Sequence, residues 1–242
     1  MTTFVLVHGS FHDGSAWEPV VQQLEQKGHT AYAPTVAGHG PDSDRGVTHA
    51  DCSGSVVDSI TDEGLEDVVL LGHSFGGSII PKVAEEIPDR INRLVFHNAF
   101  VVEDGNCVLD ECPPPIQDLF RGLSEESEDG SFMIPFPLWR DGFINDADVE
   151  LARSAYEKLS PTPFQPFVDQ LDMNEFYSLE LPNSYLYATE DGTLPQTPEW
   201  SWHPHMSSRL GLFRLIKMPG SHEVVFTNPG GLADKIVEAG RE

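Results

Sequence analysis

The stretch Val-Val-Leu-Leu-Gly-His-Ser-Phe-Gly-Gly-Ser, residues 68–78, decides the fold. Its first four residues are an apolar run of the kind that is buried in a parallel sheet. The run stops at Gly72, and apolar residues then recur at helical spacing, at Ile79, Ile80, Val83, Ala84 and Ile87. The stretch therefore predicts a buried strand, a glycine-rich turn and a helix, with Ser74 in the turn.

Residues 72–76 match the pattern G-x-S-x-G. In a nucleophile elbow, the serine occupies a strained strand-to-helix turn, and glycines flank it because side chains there would collide with neighbouring backbone. The turn holds the hydroxyl near a helix N-terminus, where the helix dipole favours developing negative charge. A glycine-rich turn with an inert serine is the alternative. The strand before the turn and the helix after it favour Ser74 as a nucleophile.

Strands and helices alternate along most of the remaining chain. Strands are predicted at 3–7, 30–33, 91–96, 184–189 and 211–218, and helices at 16–27, 48–60 and 231–239. Strands that alternate with helices imply a parallel sheet covered on both faces. The predicted fold class is therefore α/β, with a mostly parallel, doubly wound sheet.

This alternation stops between about 101 and 181, where prolines and aromatic residues concentrate. We predict one structural unit, in which residues 1–100 and 182–242 form the core and 101–181 form a helical cap inserted after the strand at about 91–97. The aromatic content of the cap indicates an enclosed, apolar substrate pocket. The predicted pocket residues are Phe11, His12, Phe132, Phe136, Trp139 and Phe143.

Composition and charge limit the classes of molecule that the protein is expected to bind. The 242 residues include 14 basic and 39 acidic side chains, for a formal net charge of −25. This charge argues against nucleic acid and anionic membranes as partners, and no apolar run is long enough to span a bilayer. The first strand begins at once, which leaves no room for a secretory signal, so the expected location is cytoplasmic. The expected assembly is a monomer or a homodimer.

Cys52, Cys107 and Cys112 lack metal-ligand spacing, so free thiols are expected. A Cys107–Cys112 disulfide is the alternative, although a reducing compartment disfavours it. His203 and His205 could suggest a metal site, but they lack a third ligand at suitable spacing and are expected to be loop residues. No metal and no cofactor are predicted.

A serine nucleophile needs a base within hydrogen-bond reach and an acid that orients the base. In the architecture predicted here, the expected chain order is Ser, then Asp or Glu, then His. Asp191 and His222 each follow a predicted strand, and open α/β sheets build their sites at the carboxyl ends of strands. The predicted roles are Ser74 as nucleophile, His222 as general base and then acid, and Asp191 as the residue that orients His222.

Three neighbouring residues compete for these roles. Glu190 is the rival acid, but its position next to Asp191 directs it elsewhere, so it is expected to be solvated. Asn98 ends a strand where such enzymes can carry an acid, but an amide cannot serve as one. Glu223, next to His222, is expected to be a surface group.

Two backbone N–H groups are needed to bind the oxygen of a tetrahedral intermediate. One is expected from Phe75, directly after the nucleophile. The other is expected from Ser10, in the His8-Gly9-Ser10-Phe11 loop after the first strand. The alternative is that His8-Gly9 only forms a tight turn at the end of the first strand.

The chain resembles an α/β-hydrolase of the branch that holds plant methyl esterases and hydroxynitrile lyases, with many bacterial relatives. The resemblance covers roughly 3–101 and 183–240. The residues that carry it are 4–12, Trp17, Gly28-His29, 72–77, 189–191, Leu194-Pro195 and 220–222. It implies that Ser10 is an oxyanion donor and that His12 is a buried residue that orders the loop near the site.

At several positions the chain differs from particular members of the family, and these differences limit the reactions that it is expected to catalyse. Hydroxynitrile lyases of this branch carry a lysine directly after the catalytic histidine and a threonine after the first-loop histidine, where this chain has Glu223 and Gly9. A carboxylate would repel cyanide, so lyase activity is not expected. Dehalogenases and epoxide hydrolases of this fold use an aspartate nucleophile, which Ser74 excludes.

The function expected from the sequence is hydrolysis of a small hydrophobic carboxylic ester or lactone through an acyl-enzyme on Ser74. Two alternatives remain at this point. One is a lyase or C–C-cleaving enzyme that uses the same three residues, and the other is a non-catalytic ligand-binding protein with this fold.

Overall fold

A computed structural model describes residues 1–241. Its main sheet has six strands in the order β2-β1-β3-β4-β7-β8, and each neighbouring pair is parallel. Two further short strands, β5 and β6, form an antiparallel pair. The strands are β1 (Thr3–Val7), β2 (Thr30–Tyr32), β3 (Val68–His73), β4 (Ile91–His97), β5 (Ser131–Phe132), β6 (Thr162–Pro163), β7 (Asn183–Ala188) and β8 (Phe213–Met218). The predicted α/β class with a parallel sheet is confirmed.

Ten α-helices accompany the strands in the described chain. They are α1 (Glu18–Gln26), α2 (His49–Asp62), α3 (Gly76–Glu86), α4 (Pro114–Glu125), α5 (Phe136–Leu138), α6 (Val149–Tyr156), α7 (Gln165–Val168), α8 (Asn174–Ser178), α9 (Val224–Thr227) and α10 (Pro229–Ala239). Shorter 3-10 turns lie at Gly14–Trp17, Pro88–Arg90 and Val108–Glu111, and π-helical turns lie at Trp139–Phe143 and Trp202–Met206.

The boundaries shift slightly from those predicted. Helix α2 begins one residue later than predicted, because Thr48 is its N-cap and forms a capping box with Asp51. Strand β8 begins at Phe213 and not at Gly211, whose φ of 66° belongs to a turn.

Helices cover both faces of the sheet. Successive strand residues point to opposite faces, so Phe4 and Leu6 of β1 pack in one hydrophobic cluster while Val5 and Val7 pack in the other. The first cluster includes Leu24 of α1 and Ile236 of α10, and the second includes residues of α2 and α3. Burial on both faces explains why β1 and β3, in the middle of the sheet, are almost continuously apolar.

The segment predicted as a cap contains α4 to α8 and the β5–β6 pair. Its buried aromatic residues, including Phe120, Phe132, Trp139 and Phe167, belong to the same hydrophobic cluster as α2, α3 and one face of the sheet. The segment therefore packs directly on the carboxyl-end side of the core and shares its interior.

The turn between β3 and α3 leaves no space for side chains at its glycines. A Cβ on Gly72 would lie 2.4 Å from the carbonyl oxygen of Gly76, and a Cβ on Gly76 would lie 2.8 Å from the carbonyl oxygens of Val7 and His8. Ser74, between them, has a φ of 52°, which is unusual for a residue with a side chain. The close approach of backbone atoms therefore requires glycine at positions 72 and 76.

We expect Gly72→Ala to lower the free energy of unfolding by about 3 kcal/mol or more, because the new methyl group meets backbone that cannot move aside. Gly54→Ala is the matched control, since Gly54 lies inside α2 with open space around its Cβ position. This control should raise the free energy of unfolding by about 0.5–1 kcal/mol. Urea denaturation of both variants checks the prediction, and equal stabilities would contradict it.

Candidate active site

Ser74 lies at the end of β3 and His222 in the loop after β8, and both line one cavity. The Ser74 N–H donates to the carbonyl oxygen of His97 at 3.2 Å, and its own carbonyl oxygen accepts from the Phe100 N–H at 3.1 Å. The backbone at the end of β4 and in the loop that follows it therefore helps to hold the strained turn. Only 7% of Ser74 is exposed, so its hydroxyl is reached through the cavity.

The imidazole of His222 is paired with a buried carboxylate. Its Nδ1–H donates to Oδ2 of Asp191 at 2.6 Å. The other oxygen of Asp191, Oδ1, accepts from the N–H and the hydroxyl of Thr193, at 2.8 and 2.5 Å. The Asn98 side-chain amide also donates to Oδ2. Asn98 thus occupies the position where an acid could have stood, and it serves Asp191 as a hydrogen-bond donor.

Glu190, the rival acid, is exposed in this structure, whereas Asp191 is buried. Its backbone carbonyl oxygen accepts from the side chain of Asn145. Its carboxylate therefore lies outside the buried group formed by Asp191 and His222.

Burial and charge act in opposite directions on this pair. Burial by itself lowers the pKa of His222, but the charge and hydrogen bond of Asp191, together with the charge of Glu223, outweigh it and raise the pKa. Burial by itself raises the pKa of Asp191, and the facing His222 and the Thr193 donors reverse this, so that the pKa is lowered. The arrangement favours an ionised Asp191 beside an imidazole that accepts a proton readily.

No hydrogen bond joins the Ser74 hydroxyl to the His222 ring in the described chain. Both residues line the same cavity. Hydrogen bonds of this kind often tighten only when substrate is bound.

Two backbone N–H groups near Ser74 are unused. Within residues 1–241, neither Ser10 nor Phe75 donates its N–H to a protein acceptor, whereas the Phe11 N–H donates to the Thr162 hydroxyl at 2.6 Å. The loop that carries Ser10 lies against the serine, since a Cβ on Gly9 would come within 2.8 Å of the Ser74 Cβ. Both free donors therefore border the candidate nucleophile, as an oxyanion hole requires.

The cavity encloses about 680 Å³ of empty space, including its opening to solvent. Its lining is mostly apolar and comes from the first loop, the cap and the loop after β7. The lining residues are Ser10, Phe11, Ser74, Phe100, Cys112, Ile116, Leu119, Phe120, Leu138, Gly142, Phe143, Phe167, Gly192, Thr193, Leu194, Trp202 and His222.

Two of the six predicted pocket residues, Phe11 and Phe143, line this cavity. Phe132 and Trp139 lie one layer behind them, with ring centroids 5.4 Å from Phe11 and 5.7 Å from Phe143. Their placement in the lining is therefore corrected: the cap is thicker than one layer of aromatic residues, and these two support the wall.

Phe136 and His12 also lie outside the lining. Phe136 packs against Tyr156, with Arg153 over its ring. His12 contacts the edges of Trp139 and Phe226 and bonds to Glu223. Sequence reasoning missed the cap residues Phe120 and Phe167, because which face of each short cap helix turns inward depends on how the cap packs on the sheet. It also missed Trp202, which lies outside the cap, between β7 and β8.

The expectation that Glu223 is a surface group is wrong. Its carboxylate is buried and lies 3.0 Å from the Nε2 of His12, which is buried as well. Its backbone N–H donates to the carbonyl oxygen of Phe143. The pair ties the loop that carries Ser10 to the loop that carries His222, which agrees with the loop-ordering role expected for His12.

His203 and His205 have protein partners: Nδ1 of His203 lies 2.7 Å from the Ser207 hydroxyl, and Nε2 of His205 lies 3.0 Å from the Arg209 guanidinium. Among residues 1–241, no three His, Cys, Asp or Glu side chains group closely enough to hold a metal ion.

Cys52, Cys107 and Cys112 are free and buried, so the disulfide considered as an alternative is absent from the described chain. Burial raises the pKa of Cys112, which lines the cavity and is therefore held as a neutral thiol. No helix among the described residues is long and apolar enough to cross a membrane.

His39, His49 and His97 are also buried, and within residues 1–241 no carboxylate is bonded to their rings. Burial lowers the pKa of His39, His49 and His97 to about 4. An unfolded imidazole titrates near 6.5, so between these two values the unfolded chain binds more protons. Each ring therefore makes its whole contribution to the free energy of unfolding above about pH 6.5 and loses it as the pH falls toward 4. The loss at pH 5 is on the order of 2 kcal/mol for each ring.

We expect His97→Gln to reduce the loss of unfolding free energy between pH 7 and pH 5 by on the order of 1–2 kcal/mol. Urea denaturation at both values, on wild type and variant, measures this difference. The many carboxylates are common to both proteins, so the comparison isolates His97. His203→Gln, at a part-exposed ring, is the control and should change the pH dependence less. An unchanged pH dependence in His97→Gln would contradict the prediction.

Known proteins share this architecture over its whole length. The Alpha/beta hydrolase family model matches residues 4–235. A carbendazim hydrolyzing esterase from Nocardioides sp. (strain SG-4G) is 36% identical over 250 residues, covering 99% of this chain and 100% of the relative. Methylesterase 2 from Arabidopsis thaliana is 25% identical, over 97% of this chain and 94% of its own length.

A solved structure of an extracellular alpha/beta-hydrolase from a Paenibacillus species superimposes with a TM-score of 0.97, at 44% identity and 100% coverage of both chains. That protein is described as sharing structural and functional homology with tobacco salicylic acid binding protein 2. The family match, the shared fold and the esterase relatives lead to one conclusion: this chain belongs to the alpha/beta hydrolase family.

Proposed function

We propose that this protein is a cofactor-independent serine hydrolase that cleaves a small, uncharged, apolar carboxylic ester or lactone through an acyl-enzyme on Ser74. The observation that carries the proposal is the convergence of three features on one cavity. These are the Ser74 hydroxyl on its strained turn, the His222–Asp191 pair, and the free N–H groups of Ser10 and Phe75.

In the first half of the reaction, Ser74 attacks the ester carbonyl carbon while His222 Nε2 takes its proton. The imidazolium that forms keeps its Nδ1–H on the ionised carboxylate of Asp191, which stabilises the new charge. The carbonyl oxygen becomes an oxyanion and receives the two free N–H groups. His222 then gives the proton to the departing alcohol, and an acyl group remains on Ser74.

In the second half, a water molecule replaces the alcohol. His222 takes one proton from the water as it attacks the acyl carbon, and a second oxyanion forms at the same two donors. Collapse of this intermediate returns the proton to Ser74 and releases the carboxylic acid. All the required proton transfers use one imidazole, so the chemistry needs no metal or organic cofactor.

The cavity lining indicates the substrate class. None of the described residues that line it is Asp, Glu, Lys or Arg, and its walls are mostly aromatic and aliphatic. A charged substrate would lose its hydration there without gaining a partner. Uncharged aromatic esters suit the lining best. Methyl esters should be assayed first, because one relative is a methylesterase. Carbendazim belongs in the same panel, since another relative is named for its hydrolysis.

We expect Ser74→Ala and His222→Ala each to lower kcat/KM for an aryl ester by at least about 10³-fold, because one removes the nucleophile and the other its base. A fluorophosphonate probe, followed by peptide mass mapping, should modify Ser74 in the wild type and leave the His222→Ala variant unlabelled. Circular dichroism should show that both variants remain folded.

Asp191→Asn and Glu190→Gln form a matched pair for the acid. The first should lose most activity because an amide no longer balances the imidazolium, and the second should stay near wild type because Glu190 is exposed. Full activity in Ser74→Ala would overturn the proposal. Tight ligand retention by an unlabelled, folded wild type would instead favour a binding protein, and release of cyanide or ketone fragments without ester turnover would favour a lyase.

The lining can be tested with two phenylalanines of the cap. Phe120→Ala should raise KM for an aromatic ester by about 10-fold, since it removes part of the apolar wall. Phe136→Ala should leave KM close to wild type, because Phe136 packs outside the lining. Steady-state kinetics on a neutral ester and on a carboxylate-bearing analogue measures both effects. A larger KM change in Phe136→Ala than in Phe120→Ala would contradict this account of the cavity.

A further inference from the structure

Trp202 lies against the face of the His222 ring. It begins the π-helical turn Trp202–Met206 and is 2% exposed. Its ring centroid is 5.4 Å from that of His222, with an angle of 24° between the two ring planes. Phe143 approaches the same imidazole edge-on, at 5.4 Å and 87°. The His222 ring therefore has a stacked indole on one face and is held in place by a second aromatic ring.

The same indole is also connected to Asp191. Its Nε1–H donates to the Thr193 hydroxyl at 3.0 Å, and that hydroxyl donates to Oδ1 of Asp191 at 2.5 Å. The other oxygen of Asp191 accepts from His222. Trp202, Thr193, Asp191 and His222 thus form a closed ring, made of three hydrogen bonds and one stacking contact.

We propose that Trp202 is a positioning residue for His222, which holds the Thr193–Asp191 side through its N–H and stabilises the imidazolium through its ring face. This inference rests on the proposed function, because the imidazolium contributes to the reaction only if His222 acts as the general base. Trp202 would then stabilise protonated His222 without being one of the three residues Ser74, His222 and Asp191.

The physical reason is the charge distribution of the indole. The face of an aromatic ring carries a partial negative charge, and tryptophan gives the strongest attraction to a cation placed over it. The attraction is weak while His222 is neutral and grows when His222 is protonated. An interaction that is stronger in the transition state than in the ground state raises kcat.

The hydrogen-bond chain adds a directional effect. The indole N–H can only donate, so the Thr193 hydroxyl accepts from Trp202 and directs its own hydrogen to Asp191. Donors in a chain polarise one another, which favours the ionised carboxylate. Trp202 therefore supports the imidazolium both directly and through Asp191.

Other titratable groups face His222 and must be held constant in a test. Asp191 comes from the loop after β7, and Glu223 follows His222 in the chain. His73, at the end of β3, has its ring centroid 4.5 Å away and donates to the His222 carbonyl oxygen. His97, at the end of β4, acts on His222 through its charge when it is protonated. The proposed variants leave all four unchanged.

The test is the pH dependence of kcat/KM in Trp202→Leu, Trp202→Phe, Thr193→Val and Thr193→Ser. Trp202→Leu removes both the ring face and the N–H, and should lower kcat by on the order of 10- to 30-fold with the acidic midpoint about 0.5–1 pH unit lower. Trp202→Phe keeps a ring face and should fall between Trp202→Leu and wild type. Thr193→Val should lower the midpoint, and Thr193→Ser, which keeps the hydroxyl, should restore it.

A spectroscopic readout accompanies the kinetics. The low-field proton resonance of the His222 Nδ1–H, identified by its loss in His222→Gln, should move upfield in Trp202→Leu and Thr193→Val and stay in place in Thr193→Ser. Phe120→Leu is the matched aromatic-to-aliphatic control in the cavity wall. It should change KM and leave the midpoint and the resonance where they are in the wild type.

The outcomes separate two kinds of failure. If Trp202→Leu changes KM alone, with the midpoint and the resonance unchanged, Trp202 is only part of the wall and this inference is overturned. If Trp202→Leu does not fold, the same decision rests on Trp202→Phe and the two Thr193 variants. If His222→Ala keeps wild-type activity, the proposed function itself has failed.

Discussion

The fold depends on how closely the backbone of the β3–α3 turn approaches its neighbours. Gly72 and Gly76 have no space for a Cβ, and the atoms that exclude it belong to the turn itself and to the end of β1. This contact requires β1 and β3 to be adjacent and parallel, as they are. Between these two glycines, Ser74 has a left-handed conformation, with a φ of 52°, directly after β3 at the carboxyl edge of the sheet. The position of the candidate nucleophile is thus a consequence of backbone packing.

Parallel strands bring their carboxyl ends to one edge, and this explains why residues far apart in sequence could be placed together in advance. The Ser10 loop follows β1, Asp191 follows β7 and His222 follows β8. Each of these strands is a short segment rich in apolar or aromatic residues, which local sequence identifies. The directions of the strands then determine which loops meet. Asp191 and His222 lie in the loops after β7 and β8, which are neighbours in the sheet, so strand order alone brings the two loops together.

Contacts between side chains that depend on how the cap packs could not be predicted from strand order. Glu223 is charged and follows a histidine, a local context typical of the surface, yet it pairs with His12, 211 residues earlier in the chain. Phe132 and Trp139 are aromatic cap residues like Phe120, but they stand behind the wall and not in it. The cap elements are short and interrupted by prolines, so their hydrophobic periodicity is too brief to indicate which side faces the sheet.

The buried histidines show how the site directs a proton to one ring. His8, His39, His49, His73 and His97 have lowered pKa values, because burial disfavours the cation and no carboxylate in the described part of the chain bonds to these rings. His222 is buried just as deeply, yet its pKa is raised because Asp191 and Glu223 outweigh burial. Each neutral neighbour also avoids a positive charge that would oppose protonation of His222. An apolar interior therefore helps the candidate base, provided that its carboxylate partner is held ionised. The hydrogen bonds that the Asp191 carboxylate accepts from His222, Thr193 and Asn98 do this.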